Sequence, residues 1–192
     1  HERGANAIVQ LGETVQRIAA LTDYARALTF NVGTITGGTV VNRVPHQAVA
    51  EIEMRAFSTE AYQAGKSAIL ELNGQGSVRA ASDGHRCRVK VEVVTETPPW
   101  PRNDATEQLL QHWQQCAASI GLSVTREERG GLSDGNNFWH AVPTLDGLGP
   151  LGDNCHCSEH SADGTKEPEY IEVPSFVPKA ALDTVAILGL LK

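Results

Sequence analysis

Six consecutive residues, Cys155-His156-Cys157-Ser158-Glu159-His160, carry two imidazoles, two thiols and a carboxylate. Cysteine and histidine are good ligands for borderline-soft metals such as zinc. Three readings of the cluster stand side by side. Cys155, His156, Cys157 and His160 could form a self-contained zinc knuckle, although adjacent residues point in different directions. Structural sites instead pair ligands roughly two to four residues apart, with a second pair further along. The cluster could also be a polar loop whose cysteines act as small hydrophobes. The spacing favours the remaining reading, a single imidazole that joins ligands lying elsewhere.

Two other places invite a chemical reading. Arg55 ends a strand-like alternation on its polar face, where a guanidinium could clamp a carboxylate through two parallel hydrogen bonds. Spacing alone favours a plainer role, cross-strand pairing with a glutamate. Gly130-Gly131-Leu132-Ser133-Asp134-Gly135-Asn136 is a glycine turn into a helix start, where backbone N–H groups favour an anion. It lacks the Lys-Ser/Thr of a phosphate loop, and Ser133 or Asp134 also makes sense as a simple cap. No Gly-x-Ser-x-Gly elbow and no Cys/His nucleophile pair stands out.

The elements that must hold these residues follow from periodicity. Residues 4–22 place Ala7, Ile8, Leu11, Val15, Ile18 and Ala19 on one helical stripe. Residues 29–44 are β-branched and read as extended chain, turning at Gly37-Gly38. Residues 47–57 alternate cleanly, with Ala48, Ala50, Ile52, Met54 and Ala56 on one face. Ser58 caps a helix to about residue 72, and Asn73-Gly74-Gln75-Gly76 ends it. A strand carrying Cys87, Val89, Val91 and Val93 follows. Residues 1–97 therefore predict two helices over a small antiparallel sheet, an α+β sandwich of the split βαβ type. Three prolines fall in residues 98–101, the clearest linker in the chain. Beyond it, Asp104 and Glu107 predict a capping box for a helix to Ile120. Short strands are expected at 123–127 and 143–148, and Ser175 is expected to cap a last helix over 176–190. Residues 98–192 read as an incomplete α/β segment.

Composition narrows the function classes. The chain has 192 residues, is 41% hydrophobic and 20% charged, and carries a net charge of −7 with no Lys/Arg run. That excludes an ordinary nucleic-acid surface. Apolar runs fall short of a membrane span, and no signal-peptide pattern is present. The four cysteines are scattered, which predicts reduced thiols and a cytoplasmic location. A first residue that already reads as the inside of a polar turn predicts a piece of a longer protein.

Taken in order, Gly37-Gly38-Thr39…Asn42-x-x-Pro45, Glu53-Met54-Arg55, Gly130-Gly131-Leu132-Ser133-Asp134 and Pro143-Thr144-Leu145-Asp146-Gly147-Leu148-Gly149-Pro150…His156…Glu169-Tyr170 resemble one family. It is the co-catalytic zinc amidohydrolases and exopeptidases of the glutamate carboxypeptidase, aminoacylase and succinyl-diaminopimelate desuccinylase group. The resemblance spans essentially the whole chain. It implies a lid, or dimerisation, domain of two helices on a four-stranded antiparallel sheet at 1–97, then the C-terminal segment of the catalytic domain at 98–192. It implies that His156 is a metal ligand, and that Arg55 and Asn42 hold the substrate's carboxylate. Gly131, Ser133 and Asn136 would line the same cleft. The implied cofactor is a divalent metal, two zinc ions in the intact enzyme, and the implied assembly is a homodimer through the lid.

The family's remaining ligands, including its bridging aspartate, and its general-base glutamate lie in a half outside this sequence. No catalytic residue is therefore assigned. A lid histidine that helps polarise the scissile carbonyl would lie just upstream of residue 1, and His1 takes the place of a proline. The cysteines beside His156 and the insert at 161–168 depart from the family pattern. The expected activity of the intact parent is hydrolysis of an amide bond next to a free carboxylate, in an N-acyl or N-carbamoyl amino acid or a short peptide. As it stands, the chain could instead be a non-catalytic module for dimerisation and carboxylate binding.

Overall fold

The computed structural model describes residues 1–191. They fall into two compact units, His1–Pro101 with Gly130–Leu132, and Arg102–Arg129 with the chain from Ser133 onward.

In the first unit, helix α1 (Ala7–Ala19) starts where Asn6 Oδ1 accepts the N–H groups of Ile8 and Val9 at 3.0 and 3.1 Å. A capping side chain satisfies helix donors that have no intrahelical partner. The buried stripe differs from the expected one. It runs through Gln10, Thr14 and Ile18, while Ile8 is 43% exposed and Ala19 lies at the surface. The reason is polar pairing. Gln10 Oε1 accepts the Val78 N–H at 2.9 Å and the Ser77 hydroxyl at 3.2 Å, and its Nε2 donates to Thr14 Oγ1 at 3.3 Å. Burial of an amide is tolerated when its hydrogen bonds are made.

Strands β1 (Leu28–Gly37) and β2 (Ala48–Ala56) pair antiparallel, with Leu28 opposite Ala56 and Gly37 opposite Ala48. The alternation read from residues 47–57 holds: Ala48, Ala50, Ile52, Met54 and Ala56 are half-buried and the residues between them are exposed. Val32 faces Ile52 but Thr34 faces Glu51, so Gly33 is an extra residue, a β-bulge. Helix α2 (Thr59–Leu70) begins at Ser58, whose Oγ accepts the Ala61 N–H at 3.1 Å. Its buried Ala61 joins Ile18, Leu28 and Phe30 in the first core, with Met54, Ile69 and Leu72 packed around them.

Next come β3 (Gly74–Arg79) and β4 (Arg86–Val89), a second antiparallel pair. The glycine stretch expected only to end α2 thus becomes a strand, and the strand expected to reach Val93 stops at Val89. The single four-stranded sheet is not formed; β1–β2 and β3–β4 are separate two-stranded ladders. Side chains satisfy backbone groups on both ladders. Thr22 Oγ1 accepts the Phe30 N–H at 3.0 Å on β1, and Gln10 takes the Val78 N–H on β3.

Lys66 on α2 holds both carboxylate oxygens of Glu96 at 2.6 Å. The buried Tyr62 also donates its hydroxyl to Glu96, whose carboxyl is held below its ordinary value by these two donors.

In the second unit, α3 (Asp104–Ser119) is capped by Asn103 rather than Asp104: Asn103 Oδ1 accepts the Thr106 N–H at 2.9 Å. Helix α3 packs on α4 (Phe176–Leu190) through Trp113, Ala117, Leu182 and Ala186, all at most 5% exposed. Trp113 Nε1 donates to Asp183 at 3.1 Å. The expected strands at 123–127 and 143–148 have no ladder partner in the structure. Val124, Leu145 and Leu148 still pack on the helix pair, so their burial is met without strand pairing. The segment Val173–Leu190, 18 residues at mean hydropathy 1.3, is long and apolar enough by composition alone to cross a membrane, contrary to the expectation of shorter runs. Within the fold its Leu182 and Ala186 are core residues. Ser175 holds the N-cap position of α4 as expected but makes no side-chain cap bond; its hydroxyl donates to Glu172 O at 2.6 Å and accepts the Leu151 N–H at 2.9 Å.

Candidate functional site

The candidate residues lie on both units, and each group has its own local support. Arg55 is on the wet face of β2, opposite Thr29, and its Nη2 lies 2.9 Å from Glu53 Oε1, two residues back on the same face. Both side chains are 50% exposed, so the pair is worth little to stability. The expected glutamate partner is present but on the same strand. Asn42 occupies the exposed turn between β1 and β2, beside a fully exposed Val41. That turn adjoins the opposite end of β2 from Arg55. Seven residues separate Ala48 from Arg55, about 23 Å of strand at roughly 3.3 Å per residue.

Gly131 is exposed, with no neighbouring atom where a side chain would begin, and Gly130 lies against the Phe57 ring. Ser133 caps the short 3-10 turn Asp134–Asn137: its Oγ accepts the Gly135 N–H at 3.0 Å, while its own N–H donates to Asn136 Oδ1 at 3.0 Å. Ser133 and Asn136 are thus brought together as a reciprocal capping box. The plain cap reading accounts for these contacts.

His156 sits in a loop framed by the pair β5 (Gly152–Asp153) and β6 (Tyr170–Ile171). A side chain at residue 152 would meet Tyr170 O, so the close approach of the two strands requires glycine there. The loop closes further through the Glu169 N–H to Cys157 O, 2.8 Å. A turn closed by the Cys157 N–H to Asn154 O, 2.9 Å, places His156 at φ 67°, in the left-handed region that disfavours side chains. His156 is exposed, and its backbone N–H donates to Glu169 Oε2 at 3.4 Å. The two contacts not signalled by sequence spacing are Glu169 at this backbone and Arg129 beside Cys155.

Among the described residues no three of His, Cys, Asp and Glu gather as a metal site. The compact knuckle of Cys155, His156, Cys157 and His160 is therefore not assembled. Cys157 Sγ instead donates weakly to Glu159 O at 3.5 Å, and Lys166 pairs with Glu159. The insert folds on itself: Asp163 accepts from the Thr165 N–H and hydroxyl at 3.1 and 2.8 Å. Hydrogen bonds from Ser161 and Thr165 hold the Asp163 carboxyl down at about 2. Among the described residues this chain does not fit a metal centre by itself.

Residues 1–79 match the family model described as a peptidase dimerisation domain. Over 184 residues, 93% of this chain and 40% of the relative, the sequence is 24% identical to carboxypeptidase G2 of Pseudomonas sp. (strain RS-16). Among solved structures, a tripeptidase from Staphylococcus aureus superposes with a TM-score of 0.69 at 22% identity, over 96% of this chain and 45% of that one. Aminopeptidase PepT from Bacillus cereus gives 0.65 at 21%, over 100% and 47%. The YXEP protein of Bacillus subtilis, described as a dinuclear metal binding peptidase, gives 0.59 at 18%, over 97% and 47%. The resemblance read from the motifs is borne out. The chain spans less than half the length of each of these relatives.

Proposed function

We propose that the intact parent is a metal-dependent hydrolase that cleaves an amide bond next to a free carboxylate. Its substrate class is N-acyl or N-carbamoyl amino acids or short peptides. Residues 1–97 act as the dimerising lid, and residues 98–192 return the chain to the catalytic domain. The observation that carries this reading is the dimerisation-domain match at 1–79, followed by the exposed His156 on its strand-framed turn. His156 donates to one of two zinc ions whose other ligands lie outside this sequence, so no chemical step is assigned to the metal here. Arg55 binds the substrate carboxylate through its guanidinium, after exchanging its weak pairing with Glu53. Asn42, at the far end of the same hairpin, serves the site of the other protomer. Gly131, Ser133 and Asn136 line the cleft, with the anion-favouring start of the 3-10 turn as their contribution.

The test is Arg55→Ala in the intact parent. Loss of the clamp lowers kcat/KM at least tenfold, about 1.4 kcal/mol of transition-state stabilisation. Unchanged kinetics would remove Arg55 from the site.

The absence of a three-donor cluster among the described residues favours a second reading for the chain by itself, a dimerisation and carboxylate-binding module without turnover. Amidohydrolase assays of the 192-residue chain with added divalent metal separate the two. Turnover from this chain alone would refute the module reading.

A further inference from the structure

The proposed function uses His156 but leaves the two thiols on either side of it without a role. We infer that Cys155 and Cys157 form a redox pair, a modification site at which a small-molecule disulfide of the glutathione class converts two thiols into a Cys155–Cys157 disulfide closed over His156.

The loop brings the pair within reach. Residues two apart in a fully extended chain lie roughly 7 Å apart between Cα atoms. That is the outer edge of the window, about 4.4–6.8 Å, in which disulfides form. Here the chain reverses between the two cysteines, through the Asn154–Cys157 turn bond of 2.9 Å and the left-handed His156. A reversal holds residues two apart closer than an extended chain does, which moves the pair inward from that outer edge.

Access sets the order of events. Cys155 is exposed and Cys157 half-buried. Arg129, anchored by Glu127 at 2.9 and 3.1 Å, has its guanidinium near Cys155. Cys157 gives up only a weak 3.5 Å contact with Glu159 O when it moves. The remaining thiols are poorer competitors. Burial and Glu13 push the Cys87 thiol up, and Cys116 is a half-buried helix residue 3.7 Å from His112.

The exchange balances without metal. Cys155 Sγ attacks one sulfur of the oxidised reagent; the other sulfur leaves and takes the proton that Cys155 gives up. Cys157 Sγ then attacks Cys155 Sγ in the mixed disulfide, expelling the second reagent thiol, which takes the Cys157 proton. Two protein thiols are oxidised to one disulfide, and one reagent disulfide is reduced to two thiols. The consequence for ligation rests on the reading of His156 as a metal donor: a bridge across its two neighbours fixes the backbone from which the imidazole projects.

The experiment treats the 192-residue chain with glutathione disulfide, blocks remaining thiols by alkylation, and maps the peptides by mass. Two of the four thiols are expected to be lost, with an internal Cys155–Cys157 bridge and with Cys87 and Cys116 alkylated. Cys157→Ser should trap glutathione on Cys155, and Cys155→Ser should leave Cys157 alkylated. Stable glutathione adducts on both cysteines of the unaltered chain, or prior oxidation of Cys87 or Cys116, would overturn the pair. The mapping contains no metal and no substrate, so its failure is distinct from failure of the hydrolase reading.

Discussion

Gln10 and Gly76 compete for one volume, and a double-mutant cycle between them tests the account of the first unit. A Cβ at residue 76 would stand 2.0 Å from Gln10 Oε1 and 2.5 Å from its Cδ. Gly76 is buried and does not have a positive φ, so its backbone tolerates alanine and only space forbids it. Gln10→Ala removes the acceptor of the Val78 N–H. An orphaned part-buried donor costs about 1–3 kcal/mol, and the one lost methylene adds roughly 0.8 kcal/mol. The expected loss is about 3 kcal/mol. Gly76→Ala overpacks the same spot and expels the Gln10 amide, a cost of about 1–3 kcal/mol from crowding before the broken bonds are counted. In the double variant the alanine methyl enters the space left by the glutamine. It should therefore be no less stable than Gln10→Ala, with a coupling of at least about 2 kcal/mol. Urea denaturation followed by circular dichroism gives the three free energies, and amide hydrogen exchange at Val78 locates the effect. Additivity within about 0.5 kcal/mol, the behaviour of independent sites, would refute the shared-volume picture.

Other consequences are simpler to state. Leu182→Ala opens a cavity among Trp113, Ala117 and Ala186, where Leu182 is 1% exposed; denaturation should show a loss of about 3 kcal/mol, the middle of the usual range. Tyr62 is pushed up to about 12, first by burial and then by its hydrogen bond to Glu96. A raised value means that the folded state holds the proton longer, so this contribution is full below pH 10 and is lost as pH rises towards 12. A pH titration of stability should show that alkaline loss in the unaltered chain and a shallower one in Tyr62→Phe; equal slopes would count against the assignment.

The legible parts of the sequence were those in which pattern and burial coincide. The alternation of residues 48–56 gave β2 face by face, and Ser58 marked the start of α2, because both signals are local. Helix α1 was found but its face was misjudged. Period alone ranks Ile8 above Gln10, and only the long-range partners Ser77 and Val78 make a buried glutamine stable. Periodicity likewise marks strands without saying which of them pair: β1 joins β2 and β3 joins β4, and no ladder links the two pairs among the described residues. At residues 123–127 and 143–148 only Val124, Leu145 and Leu148 pack on the helices, each partly buried, and neither stretch pairs as a strand, since a strand needs a neighbour as well as an apolar pattern. The placement of His156 on a loop was readable. The positive φ that aims it was not, because histidine is an uncommon residue there.

The bulge at Gly33 bears on which insertions and deletions the lid can accept. Before it, Leu28, Phe30 and Val32 face the helices; after it, Ile35 and Gly37 do, opposite Ala50 and Ala48. Removing Thr29 would invert the stretch from Phe30 to Val32 and carry the buried Phe30 ring into water, the ordinary penalty of a one-residue slip. Removing Gly33, or Thr34 with Gly33 taking its place, merges the two halves into one regular strand with every face preserved. The bulge is therefore the place in β1 where the chain can change length and keep its core.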